Sequence, residues 1–224
     1  MSNLGFRVLE RKSNIDKNIV RAYKDVVTPH ISDNLNRLFA GGSKLRPYHK
    51  EGKLLGVAIT VRTRPGDNLM IHKALDMAEP GDVLVVDAGG DKTNAVFGEI
   101  MLRLALKKGI TGVVINGAIR DVNAFSQSSF PIYACGVTHR GPYKDGPGEI
   151  NVPIQLDGMV VNPGDLVVGD EDGIVTIPNQ LVEEVLEKAN KQAALEVEII
   201  KSIEEGTIDR SWIDKTLEEK GCEF

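Results

Sequence analysis

The sequence predicts an α/β protein built on a mixed sheet, and three observations carry that prediction. Two short apolar runs, VLVVD (83–87) and GVVIN (112–116), flank a glycine-bearing loop and a helix-patterned stretch. Such a β–loop–α–β unit calls for parallel strands joined by a right-handed crossover. After residue 130, five short β-branched segments are punctuated by Gly, Pro and Asp, which suits antiparallel or mixed pairing. A single long helical pattern then runs from 179 to 205.

Taken in order, Asn14 or Asp16 can cap a first helix ending near Lys24, and Ser32 or Asp33 a second, NLNRLFA, stopped at Gly41-Gly42. The polar stretch 43–53 reads as a loop and LLGVAITVRT (54–63) as a strand. Pro65-Gly66-Asp67-Asn68 turns into an amphipathic helix ending at Glu79, and Pro80-Gly81-Asp82 leads into the strand 83–87. AGGDKTNAVFG (88–98) is a loop, and EIMLRLALKKG (99–109) a helix closed by a glycine cap. The strand 112–116 passes through GAIRD (117–121) into a short helix. PIYACGVT, INVPI, GMVV, LVVGD and GIVTI are the short strands of the second half, before helices at 179–205 and 208–220. No repeat, low-complexity tract or clear linker interrupts the chain, so residues 1–224 read as one domain.

The 224 residues are 42% hydrophobic and 26% charged, an ordinary globular composition that excludes a disordered chain or a collagen. The net charge of −5, without an offsetting basic cluster, argues against nucleic acid as a main ligand. Two cysteines, Cys135 and Cys222, make neither a CxxC pair nor a disulfide framework. No apolar run reaches membrane-spanning length, and the N-terminal stretch lacks the apolar core of a secretion signal. The expectation is a cytoplasmic protein in a reducing compartment, with no membrane partner.

Arg120-Asp121 is the first candidate site, because it follows a buried strand at the edge where open α/β sheets gather functional groups. The guanidinium offers a planar fork for a carboxylate, and the carboxylate a hard oxygen ligand for Mg²⁺ or Mn²⁺. The competing reading is a surface arginine beside a helix cap. Gly98-Glu99 opens a helix after a glycine-bearing loop, where free amides and the positive end of the dipole attract anions. Glu99 is then either a carboxylate near a metal or a first-turn acid that complements the dipole. The loop lacks the spacing of a dinucleotide or P-loop motif. Glu196 falls on the apolar stripe of the long helix, with Val182, Val185, Ala189, Ala193, Ile200 and Ile203, whereas Glu198 points the other way. An acid on a buried face needs a partner; the alternatives are an interior salt bridge, a place at the edge of the stripe, or a metal site at a subunit interface.

His30, His49, His72 and His139 show no paired ligand spacing, which disfavours zinc. Asp87 either faces the site or bonds the turn that follows it, Cys135 reads as a near-core thiol, and Tyr143 and Trp212 form no stacking platform.

The segments PGDVLVVD, AVFGE, GVVINGAIRDV, NVPI and GMVVNPGDLVVGDEDGIVTIP resemble the RraA-like family. That family holds regulators of ribonuclease E and class II 4-hydroxy-4-methyl-2-oxoglutarate/4-carboxy-4-hydroxy-2-oxoadipate aldolases, and the likeness runs from about residue 25 to the C-terminus. The aldolases carry an acid, twenty residues and then Arg-Asp, and here twenty residues separate Glu99 from Arg120. The resemblance implies a β/β/α swivelling-type fold, a central mixed sheet with flanking helices, and homotrimers or homohexamers. Helices near 179–220 would then pack on a neighbouring subunit.

By the same resemblance Arg120 binds substrate and Asp121 ligates a divalent metal, Mg²⁺ or Mn²⁺. Glu99 holds the metal through water, the backbone at Gly98, Glu99 and Ile100 grips a pyruvate carboxylate, and Glu196 arrives from the neighbour. Two departures stand out: Glu99 replaces the aldolases' Asp, and the loop THRGPYKDGPGE (138–149) differs from theirs. The implied activity is a metal-dependent lyase acting on 2-oxo acids through a pyruvate enolate, with oxaloacetate decarboxylation as a companion reaction. A non-catalytic regulator of a ribonuclease or helicase, and a lyase or hydratase for another 2-oxo or sugar acid, are the alternatives.

Overall fold

The computed structural model describes residues 3–11 and 13–223. In chain order the strands are β1 (Phe6–Val8), β2 (Arg46–Pro47), β3 (Leu54–Thr63), β4 (Asp82–Asp87), β5 (Ala95–Phe97), β6 (Gly112–Ile119) and β7 (Ile132–Val137). They continue with β8 (Gly148–Ile150), β9 (Ile154–Leu156), β10 (Met159–Val161), β11 (Leu166–Asp170) and β12 (Gly173–Ile177). The helices are α1 (Lys17–Ala22), α2 (Thr28–Asn34), α3 (Leu69–Met77), α4 (Glu99–Lys108), α5 (Val122–Ser126), α6 (Val182–Glu204) and α7 (Trp212–Glu219).

The main sheet runs β1-β8-β3-β4-β6-β7-β2. The pairs β3·β4, β4·β6 and β6·β7 are parallel, as the β–loop–α–β pattern requires. Later strands pair antiparallel: β11 joins β3 along Leu54–Val57, β8 joins the far end of β3 at Val61–Thr63, and β12 pairs β11. The sheet is therefore mixed, as expected from the punctuated second half. No helix among the described residues is long and apolar enough to cross a membrane.

Alternation along the strands sorts side chains into layers. Leu84, Val86, Val113 and Ile115 face a core shared with Ile71 of α3, Leu102 of α4 and Phe125 of α5. Val83, Val85 and Val114 face the opposite side, against Leu156 and Met159 of the β9·β10 hairpin. A third core joins Leu166 and Val168 of β11 to Ile31 of α2 and to Val182, Val185 and Ala189 of α6.

Several boundaries differ from the sequence expectation. The second helix is Thr28–Asn34 rather than NLNRLFA. Its first turn carries Pro29, and its cap comes from Asp170, whose carboxylate accepts the Thr28 N–H at 2.7 Å and the Thr28 hydroxyl at 2.6 Å. Asn36 and Arg37 then take positive φ of 54° and 61°, which stops a helix across 34–40. The first helix ends at Ala22, with Asp16 as its cap. The strand 112–116 runs on to Ile119 because β5 pairs with its far end. The helix 99–108 closes on Gly109 at φ 75°, as expected.

Candidate active site

Strand β6 delivers Arg120 and Asp121 to its carboxyl end. The Arg120 N–H donates to the Phe97 carbonyl at 3.0 Å, which fastens the end of β6 to the end of β5. Asp121 adopts the left-handed conformation, φ 61° and ψ 40°, a strained state for a residue with a side chain. That turn swings its carboxylate onto the start of α4, where Oδ2 accepts the Glu99 N–H at 3.0 Å. Asp121 Oδ1 bears no hydrogen bond among the described residues. Arg120 Nε lies 3.7 Å from Asp121 Oδ2, and both side chains stay near two-fifths exposed (40% and 43%).

Gly98 precedes α4 with extended backbone, φ −154° and ψ −171°. Its glycine identity answers to space rather than to φ. A Cβ there would sit 2.6 Å from Asp121 Oδ2 and 3.1 Å from Arg120 Cγ. The first closed turn of α4 begins with the Leu102 N–H on the Gly98 carbonyl, and the amides of Ile100 and Met101 have no acceptor among the described residues. They point positive dipole ends outward beside Arg120 and Asp121. Gly98→Ala should push both side chains off their positions and lower turnover at least about 10-fold, since small misplacements of a positioned group are costly. Because both groups are exposed enough to move, its melting temperature should stay within about 2 °C of the parent by calorimetry.

These residues line one wall of a cleft of about 280 Å³. The facing wall is Asn68 and His72 at the start of α3, with Gly141, Pro142 and Lys144 from the loop after β7. Burial holds the His72 imidazole below its ordinary 6.5, and the Lys144 ammonium adds to that effect. The cleft thus presents a guanidinium, an ammonium and two unpaired amides around one free carboxylate oxygen. An anionic, oxygen-rich ligand of small size matches that set.

Of the residues expected to form the site, the chain brings together Gly98, Ile100, Arg120 and Asp121. Glu99 lines an adjoining groove between α4 and α5, where its carboxylate accepts from Arg103 Nε at 3.0 Å, and Asp121 borders both hollows. Glu196 lies on α6, where its carboxylate is 2.7 Å from His30 Nε2 of α2, and that bond holds the carboxyl below its ordinary range. Its side chain is 47% exposed, so it sits at the edge of the packed face rather than on a buried one, whereas Glu198 is exposed. Within this one chain, then, Glu196 belongs to the α2–α6 contact.

Asp87 bonds the following turn, accepting from the Gly89 N–H at 2.9 Å and from Asn116 Nδ2 at 3.0 Å. Cys135 is a near-core thiol whose pKa burial raises. His139 is exposed and does not line the cleft. Asn68, His72 and Lys144 escaped sequence reasoning as site residues. The histidine has no partner at ligand spacing in the sequence, and the lysine sits in a polar loop that carries no periodicity.

The donor set fits a Mg²⁺-type ion. Asp121 Oδ1 bears no hydrogen bond among the described residues, and no group of three or more His, Cys, Asp or Glu side chains able to hold a metal occurs among them. Mg²⁺ characteristically takes one or two carboxylates and completes its shell with water and substrate oxygens, whereas zinc would demand more protein ligands.

The sequence pattern of the RraA-like family, described as Aldolase/RraA, matches residues 28–176. A Halalkalibacterium halodurans protein provisionally named 4-hydroxy-4-methyl-2-oxoglutarate aldolase is 42% identical over 182 residues, covering 81% of this chain and 87% of that protein. The 4-hydroxy-4-methyl-2-oxoglutarate aldolase of Thermus thermophilus is 38% identical over 112 residues, covering 50% of this chain and 68% of that one. Among solved structures, the RNA-processing inhibitor RraA of Thermus thermophilus superposes with a TM-score of 0.64 at 31% identity, over 69% of this chain and 93% of that one.

Proposed function

This chain belongs to the RraA-like family, and from that premise we propose that it is a divalent-metal-dependent lyase cleaving 2-oxo acids through a pyruvate enolate. The observation that carries the reading is Arg120 beside Asp121, both against the open amides of α4 in a cleft of about 280 Å³. The preferred substrate is 4-hydroxy-4-methyl-2-oxoglutarate or a close relative, with oxaloacetate decarboxylation as a second reaction of the same site.

The Ile100 and Met101 amides would take the substrate's C1 carboxylate. Arg120 would point its guanidinium at the 2-oxo oxygen. As the C3–C4 bond breaks, its electron pair moves onto C3 and the oxo oxygen, and the guanidinium's attraction strengthens with the charge that arrives. The C4 hydroxyl becomes the carbonyl of one pyruvate as its proton leaves, and protonation at C3 releases the other. Asp121 would hold the metal through its free oxygen; when bound, Mg²⁺ supplies Lewis-acid stabilisation of that same developing charge. Lys144, which lines the facing wall, would pair with the far carboxylate of a diacid. Burial disfavours the charged form of His72.

We further propose that the site is completed in a homotrimer or homohexamer, with Glu99 acting through water and Glu196 contributed by a neighbouring subunit. The far half of α6 supports this, since Leu195, Val197, Ile200 and Ile203 are each more than half exposed (54–62%). So does Ile100, 71% exposed at the lip of the cleft.

The test is pyruvate release from 4-hydroxy-4-methyl-2-oxoglutarate in a coupled lactate dehydrogenase assay. Two pyruvates per substrate with Mg²⁺, abolished by EDTA and restored by added metal, is the expected result. No pyruvate with Mg²⁺, Mn²⁺ or Co²⁺ overturns the proposal.

A further inference from the structure

The loop that forms one wall of the cleft is held without a hydrophobic anchor. No residue between 138 and 147 belongs to any of the three apolar cores. Its place is fixed by polar bonds to the turn before α3 and to β5. Tyr143 exchanges backbone bonds with that turn: its N–H donates to Gly66 at 2.8 Å, and its carbonyl accepts from Asn68 at 3.0 Å. Nearby, Asn94 Nδ2 donates to the Gly141 carbonyl at 2.5 Å, and the Ala95 N–H to the Arg140 carbonyl at 2.8 Å.

The ends of the loop are bonded through the Arg64 N–H to the Pro147 carbonyl at 3.2 Å and the Thr138 N–H to the Ile119 carbonyl at 3.0 Å, and a further attachment converges on one buried carboxylate. Asp67 is fully buried (0% exposed), yet its Oδ2 accepts the Asp145 N–H at 2.7 Å and the Gly146 N–H at 2.9 Å, with Arg64 Nη2 at 3.3 Å. Its other oxygen accepts the Leu69 N–H at 2.9 Å and so caps α3, the helix that carries His72. A carboxylate in the interior is costly unless its lone pairs are filled, and here the loop amides fill them. Asp145, whose N–H is held, directly follows Lys144 in sequence, and Lys144 lines the cleft.

We propose that Asp67 is a positioning residue: by gripping the Asp145 and Gly146 amides from beneath, it keeps Lys144 and the Gly141-Pro142 wall over the substrate. This rests on the lyase reading for its kinetic consequence, but not for its structural one. Asp67→Asn replaces one acceptor oxygen with an NH₂ group, so the amide cannot satisfy both the loop and α3.

The test joins two readouts. In hydrogen exchange by mass spectrometry, Asp67→Asn should raise exchange of the 140–146 segment about 100-fold while β3 and β4 keep parental protection. In kinetics with 4-hydroxy-4-methyl-2-oxoglutarate and Mg²⁺, it should raise KM about 10-fold with kcat within about 3-fold. Lys144→Ala should raise KM similarly, and the double variant no further than either single, because both act through the same ammonium. Unchanged loop exchange overturns the proposal, and so does an additive double variant or a loss confined to kcat. Should Asp67→Asn fail to fold, Asp145→Pro removes one donor from the loop side and leaves the carboxylate in place; the same exchange and KM shifts are expected, and their absence is equally adverse. If the parent protein turns over no 2-oxo acid, the lyase reading falls and loop exchange alone decides the clamp.

Discussion

Replacing Arg120 with alanine should lower kcat for oxaloacetate decarboxylation about 10²–10³-fold, the loss of about 3–4 kcal/mol expected when a single donor to a developing oxyanion is removed. Arg120 sits at the end of β6 with its backbone fixed to Phe97 and its side chain two-fifths exposed, so truncation removes charge without opening the core. Stability should barely change, and the melting curve of the variant is the control. KM should move less than kcat, because the guanidinium's attraction is stronger for the enolate than for the ketone. Arg120→Lys should recover only part of the activity, since a lysine keeps the charge but loses the planar fork. Steady-state kinetics with saturating Mg²⁺ on these two variants and the parent measures all of this. Parental kcat in Arg120→Ala would contradict the role given to it.

Replacing Glu149 with alanine should destabilise the fold by about 3 kcal/mol, the low end for breaking a buried ion pair by removing one partner. Glu149 is fully buried in β8 (0% exposed), directly opposite Arg62 of β3 on one side and Arg7 of β1 on the other. Arg7 Nε donates to Oε1 at 2.7 Å, and Arg62 donates to the other oxygen. One carboxylate thereby ties three strands together, and its loss leaves two guanidinium groups without their acceptor. Both arginines keep a water-facing side (34% and 51% exposed), which is why the larger penalties for buried charge do not apply. Urea denaturation followed by circular dichroism should show the midpoint falling with the m-value kept. Glu149→Gln, which preserves one acceptor oxygen, should lose less. A loss of unfolding free energy below about 0.5 kcal/mol for Glu149→Ala would mean the strands are held without this carboxylate.

How far these features were legible in the sequence follows from how local their causes are. β3 occupies 54–63 as the β-branched run predicts, because its identity is written in the residues that form it. The helix 99–108 and its glycine cap are legible for the same reason. The second helix was misplaced because its cap is Asp170, 142 residues away, and no local signal announces that contact. β1, β2 and β5 are short strands of two or three residues that exist through their partners β8, β7 and β6. Too short to show a period of two, they leave no pattern to read.

The site divides along the same line. Arg120, Asp121 and Gly98 were found because strand end, helix start and spacing all lie close together in the chain. The facing wall depends on Asp67 reaching 78 residues to Asp145, so Lys144 reads as an ordinary loop lysine until the loop is seen clamped. Helical phase separates Glu196 from Glu198, and Glu196 meets His30 at the half-exposed edge of α6. Phase could not supply the partner's identity, because His30 lies on another element.

In the proposed reaction Arg120, Asp121 and the first amides of α4 stabilise a pyruvate enolate with a divalent metal. Oxaloacetate decarboxylation measures that claim most directly, since it needs only the pyruvate half of the site and no particular substrate tail. Pyruvate release would be followed with Mg²⁺, then with EDTA, in the parent and in Arg120→Ala. Metal-dependent turnover that EDTA abolishes and Arg120→Ala lowers about 10²–10³-fold is the predicted result. Equal turnover with and without metal, or none with any divalent ion, would contradict it.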